Sequence, residues 1–412
     1  MTRRIQSAGP ATAIGLAGIA MAIGVIPATS TAQTVTQEVA VSLGAEATKN
    51  PYFEQVDQST SVGATAEIRP RLSYDTSVTR FELEAFARGT AYAKNYGFED
   101  NYGVSGSVRQ RSSERATLSA HAGISSLDSP ASSLWSRDDP GAIPGAPVLP
   151  GLPIDDVTVL GQRGRTTTIS GGVGVDYVLS PRDQLGISGN YQNLSMSHPN
   201  ASDYQTIGAT GRYDRVVSQY VTVGLVAGYQ SFNYDDVASP DGETLSLLGS
   251  FSLRLGEAWS LRGGAGIEQT RTDPAGLAPK TKNTGFSGNA SLCRRDMRQT
   301  FCFDYDRSTR PTGYAGIRRS DTLSFAYSYQ VSEYDSVTLG GNYSHDSSDG
   351  AVGPAIPATK LLGVRGGYEH RFNQRLSGYA NASVDRLRRT GASYDPRARV
   401  GVGIRYLFGR TG

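Results

Sequence analysis

The sequence predicts an all-β protein, a transmembrane antiparallel up-and-down β-barrel, on three observations. An export-type segment opens the chain, period-two alternation of apolar and polar residues fills most of the remainder, and the connections are short and long by turns. The last segment, Arg397 to Phe408, displays the alternation most plainly. Val400, Val402, Ile404, Tyr406 and Phe408 fall on one face, with Arg399, Gly401, Gly403 and Arg405 on the other. An apolar, aromatic face opposite a charged one suits lipid outside and water inside. Tyr406 and Phe408 are read as the closing aromatic signal for assembly.

The chain starts Met1-Thr2-Arg3-Arg4 and has no acid before Glu38. An apolar stretch from about Ala11 to Ile26 leads to Pro27 and the small residues 28–32. That order predicts a secretory signal peptide over residues 1–32, cleaved after Ala32 with Ala28 as the alternative. Residues 33–412 are then the barrel. The Arg3-Arg4 pair alone does not require export of a folded protein, and a barrel must cross the inner membrane unfolded. Removing the signal takes away two of the 40 basic residues and none of the 38 acidic ones, which leaves a neutral chain. A nucleic-acid partner therefore has no electrostatic support. No later run approaches the ~20 apolar residues of a membrane helix. A hydrophobic content of 38% is low for a soluble domain of this size but normal where only one face of each strand must be apolar.

Eighteen alternating segments follow, with sixteen strands as the alternative count. Their approximate spans are 37–48, 60–74, 78–92, 100–110, 116–126, 165–179, 184–196, 203–214 and 219–232 in the first half. The second half has 243–255, 259–271, 284–294, 299–307, 321–331, 336–346, 359–372, 376–387 and 397–408. Each is long enough for a tilted strand of about 9–11 embedded residues. The segment from Val78 to Tyr92 reads on either face. Short connections such as Asp75-Thr76-Ser77, Gly256-Glu257-Ala258 and Asn373-Gln374-Arg375 alternate with long ones such as 233–242 and 347–358. Short periplasmic turns and long outer loops, with both chain ends in the periplasm, require that alternation. A propeller would also repeat every 35–40 residues or so, but does not call for an export signal, a charged inner face or this asymmetry.

The connection 127–164 holds Pro130, Pro140, Pro144, Pro147, Pro150 and Pro153 and cannot be a membrane strand. It is either a surface loop or a constriction folded into the lumen. The two cysteines, Cys293 and Cys302, face each other if the hairpin turn is centred between Met297 and Arg298. In an oxidising compartment that pairing predicts a disulfide. No histidine lies near enough for a zinc shell, and a redox role would want closer spacing.

Few residues are placed for chemistry. His121, His198, His345 and His370 are scattered, with no metal-ligand spacing. Ser119 and His121 share a strand face, as a barrel lipase would need, but neighbours two apart on a strand do not readily form a catalytic hydrogen bond. Glu82 and Glu84 are read as solvated lumen acids rather than as an acid–base pair. The expected pore-lining set is Arg69, Arg71, Glu82, Glu84, Arg88, Arg212, Arg254, Arg262, Arg365, Arg399 and Arg405. Rings of arginines and acids opposed across a pore would set up a transverse field with mild anion preference, and charges merely paired with one another would stabilise the wall instead. Lys49, Lys94, Lys280 and Lys282 fall in outer loops or at their edges, with Lys360 at a strand end, as the cost of lysine in lipid requires.

Asn50-Pro51-Tyr52 after the first strand, the repeated polar-turn hairpins, Leu-Cys-Arg-Arg with the following Phe-Cys, and the closing Arg-Val-Gly-Val-Gly-Ile-Arg-Tyr-Leu-Phe resemble outer-membrane β-barrel proteins of alphaproteobacteria. The resemblance implies the Gram-negative outer membrane, contact with its lipids and its assembly machinery, and, as for some relatives, polysaccharide export components as partners. Gly409 to Gly412 follow the aromatic residue on which many such barrels end. The expected function is a passive porin-like channel for polar solutes or exported polysaccharide, with no cofactor, no metal and no enzymatic activity. The alternatives are a non-conducting surface scaffold or receptor and, second, a barrel lipase or deacylase.

Overall fold

The computed structural model describes residues 34–54, 59–132, 156–161, 163–198, 201–235, 240–273, 280–313, 316–347 and 358–409. The expected signal peptide and the greater part of the Pro-rich connection lie outside the described residues.

Eighteen long strands make up the fold: β1 (Thr34–Lys49), β2 (Thr60–Asp75), β3 (Thr79–Tyr92), β4 (Phe98–Arg111), β5 (Ala116–Leu127) and β6 (Thr166–Ser180). They continue as β7 (Asp183–Met196), β8 (Tyr204–Ser218), β9 (Val221–Tyr234), β10 (Asp241–Leu255), β11 (Trp259–Asp273) and β12 (Thr281–Arg295). The last six are β13 (Gln299–Thr312), β14 (Gly316–Gln330), β15 (Asp335–Ser347), β16 (Thr359–Arg371), β17 (Leu376–Arg389) and β18 (Arg397–Gly409). Each pairs antiparallel with its chain neighbour, and β18 closes on β1 from Glu38↔Gly409 to Lys49↔Ala398. Closure leaves the barrel without an edge strand.

Register decides which way each side chain points, because partners directly opposite share a face. Val41 lies between Ile68 of β2 and Tyr406 of β18, while Ser42 lies between Glu67 and Arg405. The first row belongs to an exposed apolar exterior that includes Leu43, Val173, Ile187, Ile267 and Val402. Near the short turns that exterior ends in aromatic contacts, Tyr406 with Phe408 at 4.6 Å and His370 with Phe372 at 4.9 Å. Such a girdle suits a membrane–water boundary. In β3 the ambiguity resolves by pairing: Glu82, Glu84, Phe86 and Arg88 point inward and Phe81, Leu83 and Ala87 outward. Pro70 lacks a backbone N–H, and the β2–β3 ladder skips from Ile68↔Ala87 to Arg71↔Glu84 around it.

The repeated polar turns have a common physical cause. A side-chain oxygen at the first turn position accepts from the backbone N–H three residues on: Thr76 from Thr79 at 2.8 Å, Ser113 from Ala116 at 3.0 Å, Asp296 from Gln299 at 2.9 Å and Asn373 from Leu376 at 2.9 Å. These bonds hold the short connections as tight turns.

One seam departs from the rest. The β12–β13 ladder runs only from Arg295↔Thr300 to Gly288↔Arg307, eight residue pairs and the shortest of the eighteen. Beyond Arg307, β13 stays paired with β14 up to Thr312↔Gly316 but leaves β12. The freed two-stranded ribbon bends into the barrel. Thr309 N donates to the inward Glu268 of β11 at 3.1 Å, and Thr312 exchanges hydrogen bonds with the Tyr234 hydroxyl of β9. Ile317 reaches Gly242 of β10, where an added Cβ would lie 2.3 Å from its Cδ1. The ribbon thus overlies strands up to five places away. Pro311 favours this path, because it has no N–H to give a wall ladder.

Candidate functional site

The inward charges concentrate on one wall made of β16, β17, β18, β1, β2 and β3. At its centre Glu46 of β1, with a side chain 1% exposed, accepts from Arg88 Nη2 at 3.2 Å, from Tyr92 Oη at 2.9 Å and from Arg399 Nη2. Toward the short turns Arg69 meets Glu67 at 2.7 Å and Glu84 at 3.6 Å, Arg71 meets Glu82 at 3.7 Å and Arg405 meets Glu369 at 3.5 Å. Toward the long loops Arg397, wholly buried, meets Asp385 at 3.3 Å. A pocket opens onto the lumen between Glu46, Glu67, Arg88, Tyr379, Arg399 and Arg405.

The arginines and acids interleave on the same wall and pair sideways along it, within a strand for Arg69–Glu67 and between strands for Arg69–Glu84, Arg71–Glu82, Arg88–Glu46, Arg399–Glu46 and Arg405–Glu369. Arg365 of β16 belongs to this wall. Arg212 of β8 lies on another, paired with Asp176 at 3.1 Å and Asp214 at 2.8 Å. Arg254 and Arg262 occupy inward positions of β10 and β11 toward the short turns, exposed and with no ion-pair partner among the described residues.

Cys293 and Cys302 form a disulfide across opposed positions of β12 and β13, inside the truncated ladder. Ser119 and His121 both face inward, but the Ser119 hydroxyl is directed at the Gly174 carbonyl at 3.5 Å and His121 lies over Gly172. Among the described residues no cluster of three or more His, Cys, Asp or Glu is arranged to hold a metal.

At the long-loop end of the lumen, residues 156–160 are buried against the wall. A 3₁₀ turn, Val157–Val159, is capped by Asp156, whose carboxylate accepts from Thr158 N at 2.9 Å, from the Thr158 hydroxyl and from Gly313 N of the ribbon at 2.6 Å. On the other side Arg389 Nη2 of β17 donates to the carbonyls of Thr158 at 2.7 Å and Leu160 at 3.3 Å. The apolar side chains divide between two walls. Val157 and Leu160 pack among Tyr52, Phe53, Tyr92, Leu361 and Leu387, while Val159 packs among Leu194, Met196, Phe232 and Ile317. A second short turn, Pro130–Ser132, is held where Arg397 Nη1 donates to the Ala131 carbonyl at 3.2 Å. The result is a plug anchored on both sides of the barrel. Burial holds the Asp156 carboxyl above the usual carboxylate range, against the opposing pull of its hydrogen bonds and of Arg318.

Sequence reasoning missed the plug's sockets and the hub role of Glu46. A signal was present for the sockets: Leu194, Met196, Phe232 and Leu361 are large apolar residues at inward positions, all near the long-loop ends of their strands. No such signal marks Glu46, which reads as one more inward acid.

No family model matches the chain, and no curated protein matches it. Solved structures with a similar chain path include Pseudomonas aeruginosa OccK2 (OpdF), at 14% identity and a TM-score of 0.45, covering 92% of this chain and 98% of that one. P. aeruginosa OprD follows at 11% and 0.42, covering 92% and 96%. A BenF-like porin from Pseudomonas fluorescens Pf-5 has 10% and 0.45, covering 91% and 99%. At this level of similarity no residue role carries over.

Proposed function

We propose that this chain is an outer-membrane channel for small polar solutes whose lumen is gated at the long-loop end by the 156–160 plug. One observation carries the reading: a closed barrel with an apolar exterior and a charged lumen is obstructed by a segment that is bound through few hydrogen bonds and two separable apolar patches. An apolar belt needs lipid around it, and a polar lumen needs water inside it. The plug's polar anchors, Asp156 to Gly313 and Arg389 to Thr158 and Leu160, are side-chain bonds that can break without disturbing a strand ladder. Solute preference would come from the paired wall, which offers alternating donors and acceptors rather than a net field. Polysaccharide is the larger substrate within the same reading, and its passage requires full withdrawal of the plug. Lipids and assembly machinery of the outer membrane are the partners this location calls for, with polysaccharide export components added if the larger substrate applies.

The plug also supports a second reading, a non-conducting scaffold that displays its outer loops. Conductance of the refolded protein in planar bilayers separates the two. The channel reading expects brief, rare openings for the unaltered chain and long openings for Leu160→Asp, which puts a charge into the apolar socket. Silence from both proteins, once insertion is verified, would leave the scaffold.

A further inference from the structure

We propose that the exterior of β16 and β17, at the long-loop margin of the apolar belt, is a binding site for the phosphate headgroup of a membrane glycolipid. The proposal rests on the reading that the barrel spans a membrane and is otherwise independent of what the lumen does.

Lys360, Arg386 and Arg388 point outward and are exposed. Lys360 pairs directly with Arg388, and Leu362 with Arg386. Opposed Cα atoms in such a ladder are about 5 Å apart, and alternate residues on a strand about 7 Å apart. Three cations therefore fit within the reach of one phosphate. Among the described residues none of the three has an acidic partner.

Most other cations of the outer rim are paired, although Lys282 of β12, exposed and directly opposite Arg271, has no acidic partner among the described residues. Arg165 pairs with Asp100 at 2.6 Å, Arg271 with Glu243 at 3.2 Å, Lys280 with Asp273 at 2.9 Å, Arg307 with Asp321 at 3.5 Å and Lys49 with Asp395 at 3.8 Å. Like charges directly opposed across a ladder repel, so the Lys360–Arg388 pair costs stability unless an anion neutralises it. A ligand is the missing acid.

Height identifies the ligand's source. Outward residues of β16 and the turn residue that precedes its partner strand, from Leu362 to Phe372, are largely apolar and exposed, Phe372 58%, Tyr368 44%, Val364 54% and Leu362 52%. Ten residue steps at the tilt of a barrel strand rise about 25 Å, the height of a barrel's apolar band. Lys360 is the next outward residue beyond that band, and Arg386 and Arg388 stand beside it above Val384. The cations thus sit where lipid phosphates lie, with exposed Leu362, Val364, Val384 and Val400 below them to receive acyl chains. The long-loop end faces the outer leaflet, so the ligand class is a phosphorylated, multiply acylated sugar lipid. Guanidinium groups suit it, because they grip phosphate through two parallel N–H bonds.

The test compares the unaltered barrel with the triple variant Lys360→Gln, Arg386→Gln and Arg388→Gln, and with a control, Arg271→Gln and Lys280→Gln, taken from the paired rim. Each is refolded in phosphatidylcholine vesicles containing bisphosphorylated lipid A, and lipid retained through detergent exchange is quantified by mass spectrometry. Each cation contributes about fivefold, so the triple variant should retain the lipid roughly 100-fold more weakly, with the control unchanged. Dephosphorylated lipid A should be retained no better by the unaltered protein than by the variant. Equal retention of lipid A by the variant and the unaltered barrel, or equal retention of the two lipid forms, overturns the proposal. Displacement by inorganic phosphate beyond the effect of chloride at equal ionic strength would make this a free-anion site and also overturn it. Failure of the unaltered chain to insert into vesicles would overturn the membrane reading itself, whereas normal insertion with unchanged retention defeats this proposal alone.

Discussion

The wall around β1 and the seam between β12 and β13 solve the same problem in opposite ways. At β1 the ladder is long on both sides, from Thr34↔Asp75 to Lys49↔Thr60 with β2, and a buried cluster on Glu46 ties β1 to β3 and β18 as well. At β12–β13 half the ladder is absent, and a disulfide, a Ser287 hydroxyl bond to the Arg307 carbonyl at 3.0 Å and the Thr309–Glu268 bond stand in for it. A closed barrel can therefore surrender wall hydrogen bonds at one place if other groups take over the orphaned partners. The surrendered ribbon is what supports the plug.

The comparison breaks most severely at Glu46. Glu46→Ala leaves Arg88 and Arg399 facing each other in a buried site, and removing one partner of a buried charge cluster costs about 3–5 kcal/mol. The expected outcome is a large drop in the urea midpoint of the folded barrel, with a smaller drop for the triple variant Glu46→Met, Arg88→Met and Arg399→Met. An unchanged midpoint for Glu46→Ala would mean that the cluster contributes nothing to the wall.

Leu160→Ala acts on the plug alone. Leu160 is fully buried, so the lost contacts and the cavity left behind should weaken docking by about 2–5 kcal/mol. Protease access to the 156–161 segment should rise while the barrel's unfolding midpoint stays put. If both change together, plug and wall form one cooperative unit.

Cys293→Ser with Cys302→Ser tests the staple. Cross-linking residues nine apart in sequence stabilises by roughly 2–3 kcal/mol through the unfolded chain. Loss of the bond should increase backbone amide exchange of β13 beyond Arg307 more than that of β3. Uniform exchange across both strands would count against a special role at the seam.

The smallest effect is that of pH on the plug. The carboxyl of Asp156 is raised in the docked state, so docking binds the proton more tightly than the free segment does. The contribution is complete below about pH 4, the ordinary carboxylate value, and is lost as pH rises through the docked value. Openings in bilayer recordings should become more frequent across that rise. Asp156→Asn should flatten the profile, and a profile that keeps its slope would place the titrating group elsewhere.

Much of this was legible beforehand. Eighteen strands, their short turns, the outward aromatic residues and the Cys293–Cys302 pair follow from period-two alternation and turn spacing, because both are local properties of the chain. Glu82 and Glu84 could be placed on the inner face, but their partners could not, because Arg69 and Arg71 reach them only through the β2–β3 register. The plug was half legible: prolines excluded a strand from 127–164, yet nothing local says that Val157, Val159 and Leu160 turn inward.

Sequence by itself determined the barrel class, since alternation commits each strand to one wet and one dry face whatever its neighbours are. Only the tertiary structure decided where β13 leaves β12, that Glu46 binds two arginines and a tyrosine, and that Lys360, Arg386 and Arg388 stand together outside. These depend on register and on chain segments far apart in sequence meeting at one height. Such meetings are settled by the competition of whole ladders, not by the composition of any one strand.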